Sequence, residues 1–116
     1  PGTVIIAYDV AFWQYAERMF PQNPAVQLAF KDNPAGAETA AFRNGSLQGA
    51  YFIVAARAVG LDCGPMSGFD NTMVDEAFFA ETMFRSNFLC NIGYGDASKT
   101  FKRLPRLDFD VACQVL

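Results

Sequence analysis

The spacing of apolar and polar positions changes several times along this chain of 116 residues, and each change marks an element. Thr3-Val4-Ile5-Ile6-Ala7-Tyr8 is a β-branched run without alternation, which predicts a strand buried on both faces. Asp9 then stands where a helix cap is wanted, ahead of Phe12, Trp13, Tyr15, Ala16 and Met19, which are too crowded for one narrow apolar stripe. Between Pro21 and Pro34, prolines and asparagines predict irregular chain broken by a short helical piece around Val26 to Phe30. Good helix formers take over from about Ala37 to Val59, so a long helix is expected there, with Gly60 as its stop signal. Its second half, Leu47 to Val59, is apolar almost all round, with Gln48 and Arg57 the only strongly polar side chains; this predicts a helix buried on every face. Small residues at Gly45, Gly49, Ala50, Ala55, Ala56 and Ala58 would let another helix approach closely, at the centre of a dimer or of a larger fold.

After that helix comes Cys63-Gly64-Pro65-Met66-Ser67-Gly68-Phe69-Asp70, expected to be a turn between two helices. Pro65 fixes its own φ and removes a donor, while Gly64 and Gly68 permit positive φ and leave no Cβ to hold a ligand away. Such a turn is either an ordinary helix connection or a loop that lays backbone amides against a planar or anionic group. Thr72 and Asp75 have the spacing of a capping box, and with Asp70 and Glu76 they suit the positive end of a helix extending to about Phe79. Ser86 to Tyr94, with Phe88, Leu89, Cys90 and Ile92, predicts a strand ended by Gly93 and Gly95.

Composition narrows the chemistry. The chain is one domain at most, yet 52% of its residues are hydrophobic and only 18% charged. Some apolar surface should therefore be covered by a partner, most simply a second copy, or by the rest of a larger fold. The sequence opens at Pro1 and enters a strand at once, and since chains rarely begin at a central strand, residues upstream are expected to have been lost or trimmed. No stretch has the uninterrupted apolar length of a membrane span and no signal peptide is visible, so a soluble, cytoplasmic protein without a membrane partner is expected. There is no His, and Cys63, Cys90 and Cys113 are odd in number and far apart. That pattern argues against structural zinc, a disulfide framework and His-assisted nucleophiles, and favours free thiols in a reducing compartment. Lys99, Lys102, Arg103 and Arg106 are four cations within eight residues; since the whole chain carries −3, everything outside them sums to −7. A local basic patch on an acidic protein fits a small anion such as a phosphate better than a nucleic acid, or else is a solvated basic edge strand.

Three blocks together carry a resemblance. Ala58 to Asp70 (AVGLDCGPMSGFD), Arg85 to Asp96 (RSNFLCNIGYGD) and Arg103-Leu104-Pro105-Arg106 closely resemble the FMN-dependent nitroreductase family, in particular its malonic semialdehyde reductase branch of pyrimidine degradation. The resemblance implies an α+β fold, with a mixed, mostly antiparallel sheet flanked by helices and a long buried helix at the interface of a homodimer. It implies FMN as cofactor and NADH or NADPH as electron donor, with ping-pong hydride transfer to a small aldehyde such as malonic semialdehyde, or to a nitro compound or quinone. It places Pro65, Met66, Ser67 and Gly68 along the flavin and carries the phosphate contact to Arg106 and Arg103. No side chain identifies itself as catalytic, because the cofactor does the hard chemistry and amide donors stabilise its charge. The resemblance further implies that residues 1–116 are the C-terminal portion of a single nitroreductase-like domain whose N-terminal portion is absent. The favoured reading is the FMN oxidoreductase, and the alternative is an inactive, flavin-free dimeric fragment.

Overall fold

The computed structural model describes residues 1–116. In chain order the elements are β1 (Gly2–Asp9), a 3-10 turn (Phe12–Tyr15), α1 (Ala16–Met19), α2 (Ala25–Lys31), α3 (Pro34–Ala58), β2 (Asp62–Met66), α4 (Asn71–Phe78), β3 (Phe84–Gly93), a second 3-10 turn (Ala97–Lys99) and α5 (Phe109–Ala112). The fold is α+β, with the strands in the order β1-β3-β2 and both pairings antiparallel.

The last strand in sequence is thus the middle one in space. β1 lies along β3 from Gly2 opposite Ile92 to Asp9 opposite Phe84, and β2 covers the other edge from Asp62 opposite Gly93 to Met66 opposite Leu89. The register against β1 slips between Ile6, opposite Phe88, and Ala7, opposite Ser86, which leaves Asn87 as the extra residue of a bulge. The bulge lets β3 serve two layers: Phe88 reaches α3, while Ser86 faces α4.

The 25-residue α3 would be about 37 Å long at the usual rise. Asn33 caps it by accepting from the Gly36 amide at 3.0 Å, and Pro34 occupies the first turn, where a missing N–H costs nothing. Gly60, at φ 86°, closes the helix and is the one residue with positive φ. The buried positions of α3 are Ala37, Ala41, Gly45, Gly49 and Ala56, all small and on one face. A Cβ added at Gly49 would stand 2.5 Å from the Phe88 ring and 3.1 Å from Ile6 Cγ2, so the helix lies close on the sheet because those side chains are missing.

Several expectations change. The second half of α3 is buried on one face, not all round: Leu47, Tyr51 and Val54 point the opposite way and are 57%, 77% and 65% exposed. A three-stranded sheet can cover only one side of a helix. β1 is half-buried at a sheet edge rather than buried on both faces. Asp9 caps no continuous helix over 12–19; its carboxylate accepts from the Ala11 amide at 2.8 Å and turns the chain into the 3-10 segment. Cys63 to Met66 belong to β2 rather than to a turn, and Pro65 is tolerated because β2 is an edge strand. The cap of α4 is Asp70, accepting from the Met73 amide at 3.1 Å, while Asp75 turns to β3 instead of closing a box with Thr72. The basic cluster lies on no strand, and every residue from Tyr94 onward is exposed.

The exposed surface is 9264 Å², against about 6,200 Å² for a compact monomer of 12.7 kDa. The radius of gyration, 17.9 Å, likewise exceeds the roughly 13 Å of a compact chain this long. No helix is long and apolar enough to cross a membrane.

Two predictions follow from this packing. Gly49→Leu forces a side chain into the α3–β3 contact and should destabilise the fold by about 1–3 kcal/mol in a denaturant titration, whereas Gly64→Ala, whose Cβ would sit at an ordinary 3.7 Å from Asn91, should not. The C-terminal segment is tethered where the Asp62 carboxylate accepts from the Gly95 amide at 2.7 Å and pairs with Arg57. The Gly95 amide first, and then Arg57, hold Asp62 below the usual aspartate value of 3.8. A depressed carboxylate stabilises the folded state at pH above its unfolded value and stops doing so as pH falls through its folded value. The Gly95 amide resonance should therefore stay put down to the ordinary aspartate range and move only below it.

Candidate functional site

Ser67 to Asp70 form the short link between β2 and α4. The amides of Ser67, Gly68 and Phe69 donate to no group within the chain. Three neighbouring unpaired donors, next to the N-terminus of α4, make a local positive edge suited to an acceptor from outside. A Cβ built on Gly68 meets nothing within 4 Å, so the absent side chain leaves the link open to a flat ligand rather than relieving a clash inside the protein.

The link borders a groove of about 470 Å³ between α3 and the end of β2. Phe42, Ser46, Ala50 and Ile53 line it from α3, Pro65, Met66 and Ser67 from β2 and the link, and Asn87 and Phe88 from β3. None of these side chains is charged. Asn87, displaced by the bulge, donates to Ser46 Oγ at 2.9 Å and to the Phe42 carbonyl at 3.4 Å, which fixes the floor of the groove against the helix. A larger groove of about 730 Å³ lies along α3 by Tyr8, Glu38 and Arg43, and shares only Phe42 and Ser46 with the first. The Tyr8 hydroxyl is pushed above its usual value by burial and then by the carboxylates of Glu38 and Asp75. This second groove holds none of Pro65, Met66, Ser67, Gly68, Arg103 and Arg106, the site residues expected from the sequence.

Of those residues, Pro65, Met66 and Ser67 come together on the smaller groove, and Gly68 follows directly. Arg103 and Arg106 do not line it. They lie on the exposed C-terminal segment, where Arg106 donates to the carbonyls of Leu104 at 2.9 Å and Pro105 at 3.3 Å. Within this chain nothing folds that segment back, since its one tether to the body is near its start, at Gly95. The Cys90 thiol is buried against Cys63; burial first, and then that neighbour, raise it, so it stays protonated and is no nucleophile at neutral pH.

Sequence reasoning missed the contacts made by Asn71, Asp75, Ser86 and Asn87. Asn71 Nδ2 donates to the Ser86 carbonyl and hydroxyl, both at 2.9 Å, and Asp75 Oδ1 accepts from the Ser86 amide at 2.7 Å. The available signal was the polar Ser86-Asn87 pair at the head of an apolar strand, which is how a bulge with a buried polar residue appears in sequence.

No protein-family model matches the chain. Over 97% of its length it is 57% identical to a Ralstonia pickettii protein provisionally named NADH dehydrogenase/NAD(P)H nitroreductase HadB, and spans 59% of that protein. Over 99% it is 54% identical to a Cupriavidus pinatubonensis protein with the same provisional NADH dehydrogenase/NAD(P)H nitroreductase name, and spans 60% of it. The chain thus spans about three fifths of the length of these curated relatives. Among solved structures it resembles a provisionally named NAD(P)H:FMN oxidoreductase from Staphylococcus epidermidis, with a TM-score of 0.79 and 20% identity over 98% of this chain and 61% of that one. It resembles the provisionally named nitroreductase ydfN of Bacillus subtilis with a TM-score of 0.77 and 20% identity, over 98% of this chain and 63% of that one. These structural likenesses establish a nitroreductase-like fold for this chain.

Proposed function

We propose that this chain forms the flavin-contacting part of an FMN-dependent oxidoreductase that consumes NADH or NADPH. The observation that carries the reading is the row of free amides at Ser67, Gly68 and Phe69 beside an uncharged groove. FMN fits these residues: its ring is planar and bears acceptors at its edge, and the open position at Gly68 admits a plane against the backbone. When bound, FMN supplies two-electron chemistry, accepting hydride from the nicotinamide and passing it to the second substrate in alternate half-reactions.

The chain's own residues bind and orient. Ser67 and Gly68 donate amides to the ring edge, where preorganised donors stabilise developing negative charge. Pro65 and Met66 form the adjoining wall, and Phe42 and Phe88 add apolar surface to the groove. Arg106 and Arg103 lie away from this groove in the single chain, so their assignment to the phosphate rests on the sequence resemblance and on the suitability of a guanidinium's paired donors. It requires the C-terminal segment to reach a groove other than the one its own chain shows. No histidine or catalytic carboxylate is required.

Two acceptors compete. The sequence resemblance supports a small aldehyde such as malonic semialdehyde, whose carboxylate would need a cation from the C-terminal segment. The uncharged lining of the groove and the nitroreductase names of the relatives favour a general nitro or quinone reductase instead. Relative turnover of malonic semialdehyde and a nitroaromatic decides between them. For the partner we propose a second copy, seated on the exposed stripe Leu47, Tyr51 and Val54 of α3.

The purified protein should show flavin absorption that is released on denaturation. Gly68→Val should keep the fold, because its Cβ enters open space at a φ outside the positive range, yet lose flavin; unchanged flavin content would remove Gly68 from the site. Val54→Asp should convert a sedimenting dimer to monomer, and a wild-type chain that sediments as a monomer would rule out the second copy.

A further inference from the structure

The Ser67–Asp70 link has no internal hydrogen bonds from its first three amides to hold its shape, so its shape is set where its two ends are fixed. Both ends are fixed to β3. At one end Met66 pairs opposite Leu89; at the other, Asn71 is bonded to Ser86. Those two anchor points are three residues apart on one strand, about 10 Å. α4 has no buried residue, so apolar packing alone does not hold its start in place. What holds it is the polar contact. Ser86 is 4% exposed, and its amide, carbonyl and hydroxyl are all satisfied from α4: Asp75 Oδ1 accepts at 2.7 Å and Asn71 Nδ2 donates to both oxygens at 2.9 Å. The buried Ser86 has all its polar groups satisfied by these half-buried bonds, and breaking them leaves its buried polar groups unpaired.

We propose that Asn71 and Asp75, acting through Ser86, are positioning residues that preorganise the Ser67, Gly68 and Phe69 amides for the cofactor. This deepens the flavin reading and rests on it for the identity of the ligand. The bulge at Asn87 is what makes the arrangement possible, since it turns Ser86 toward α4 while Phe88, two residues on, packs under α3. The groove wall and the amide row are therefore held by neighbouring residues of the same strand. The loop can be ordered before any ligand arrives, which lowers the ordering cost of binding.

The test compares the wild-type chain with Asn71→Ala and with the milder Ser86→Ala, which removes one of Asn71's two acceptors and is tolerated by a small buried site. Backbone ¹⁵N relaxation is measured without added cofactor, and FMN affinity is then measured by fluorescence titration. In the wild type the order parameters of Ser67, Gly68 and Phe69 should sit near about 0.85; in Asn71→Ala they should fall below about 0.6 while β1 and α3 keep theirs, with Ser86→Ala between. FMN dissociation constants should rise about tenfold in Asn71→Ala, the scale of losing one buried hydrogen bond. Unchanged loop order in both variants, or a loss of order shared equally by β1 and α3, overturns the positioning role. Selective loosening of the loop in a protein that takes up no FMN even as wild type keeps the positioning role and overturns the flavin reading.

Discussion

The closeness of α3 to β3 sets the geometry on which the rest depends. Gly45 and Gly49 bring the helix backbone down onto Tyr8, Ile6 and Phe88, so the helix meets the sheet without an intervening layer of large side chains. That approach decides how wide the cleft beside the end of β2 can be, because Phe42, Ser46, Ala50 and Ile53 are carried on the same rigid helix. It also decides how β3 must behave. A regular strand would alternate its side chains, but this one has to seat Phe88 under α3, brace Asn87 against Ser46 and still offer Ser86 to α4. One extra residue at the bulge reconciles those demands.

The proposed site is built from backbone donors rather than ionisable side chains, and the electrostatics agree. The groove is lined by no charged group, and the nearest buried thiol, Cys90, is held protonated by burial. An arrangement with few titrating groups and several fixed dipoles is suited to stabilising charge on a bound ligand, not to moving protons from its own side chains. The lack of His in the sequence and the unpaired amides of Ser67 to Phe69 describe the same property at two levels.

Much of this was legible before the structure. The run at Thr3 to Tyr8, the long helix with its stop at Gly60, the second helix after Asp70 and the strand through Cys90 all left local patterns, and all form. What stayed hidden depended on distant partners. Gly64 and Pro65 look like a turn by local preference, but β3 recruits them as an edge strand, the place in a sheet where proline's missing donor is tolerated. Asp75 has the spacing of a capping residue, yet the buried amide of Ser86 is the stronger claim on its carboxylate. The helix stripe at Leu47 to Val59 reads as uniformly apolar because hydropathy does not distinguish alanines and glycines that press on a sheet from a leucine, a tyrosine and a valine that face away. Size, not polarity, separates the two faces.

That division of α3 gives the surplus surface a meaning. The chain exposes about 3,000 Å² more than a compact monomer of its mass, several times the roughly 800 Å² that one partner contributes to an ordinary recognition interface. An excess on that scale would suit an obligate assembly better than a transient contact. The proposed second copy is one cover for it; the relatives, for their part, are longer than this chain by about two fifths of their own length. The sheet edges at β1 and β2 offer unpaired backbone groups, which suit further strands of the same fold. The stripe on α3 offers none, because a helix satisfies its own backbone along its length. It presents side chains alone, and Leu47, Tyr51 and Val54 along one face of a 25-residue helix suit the packing of another helix, such as the proposed symmetric copy.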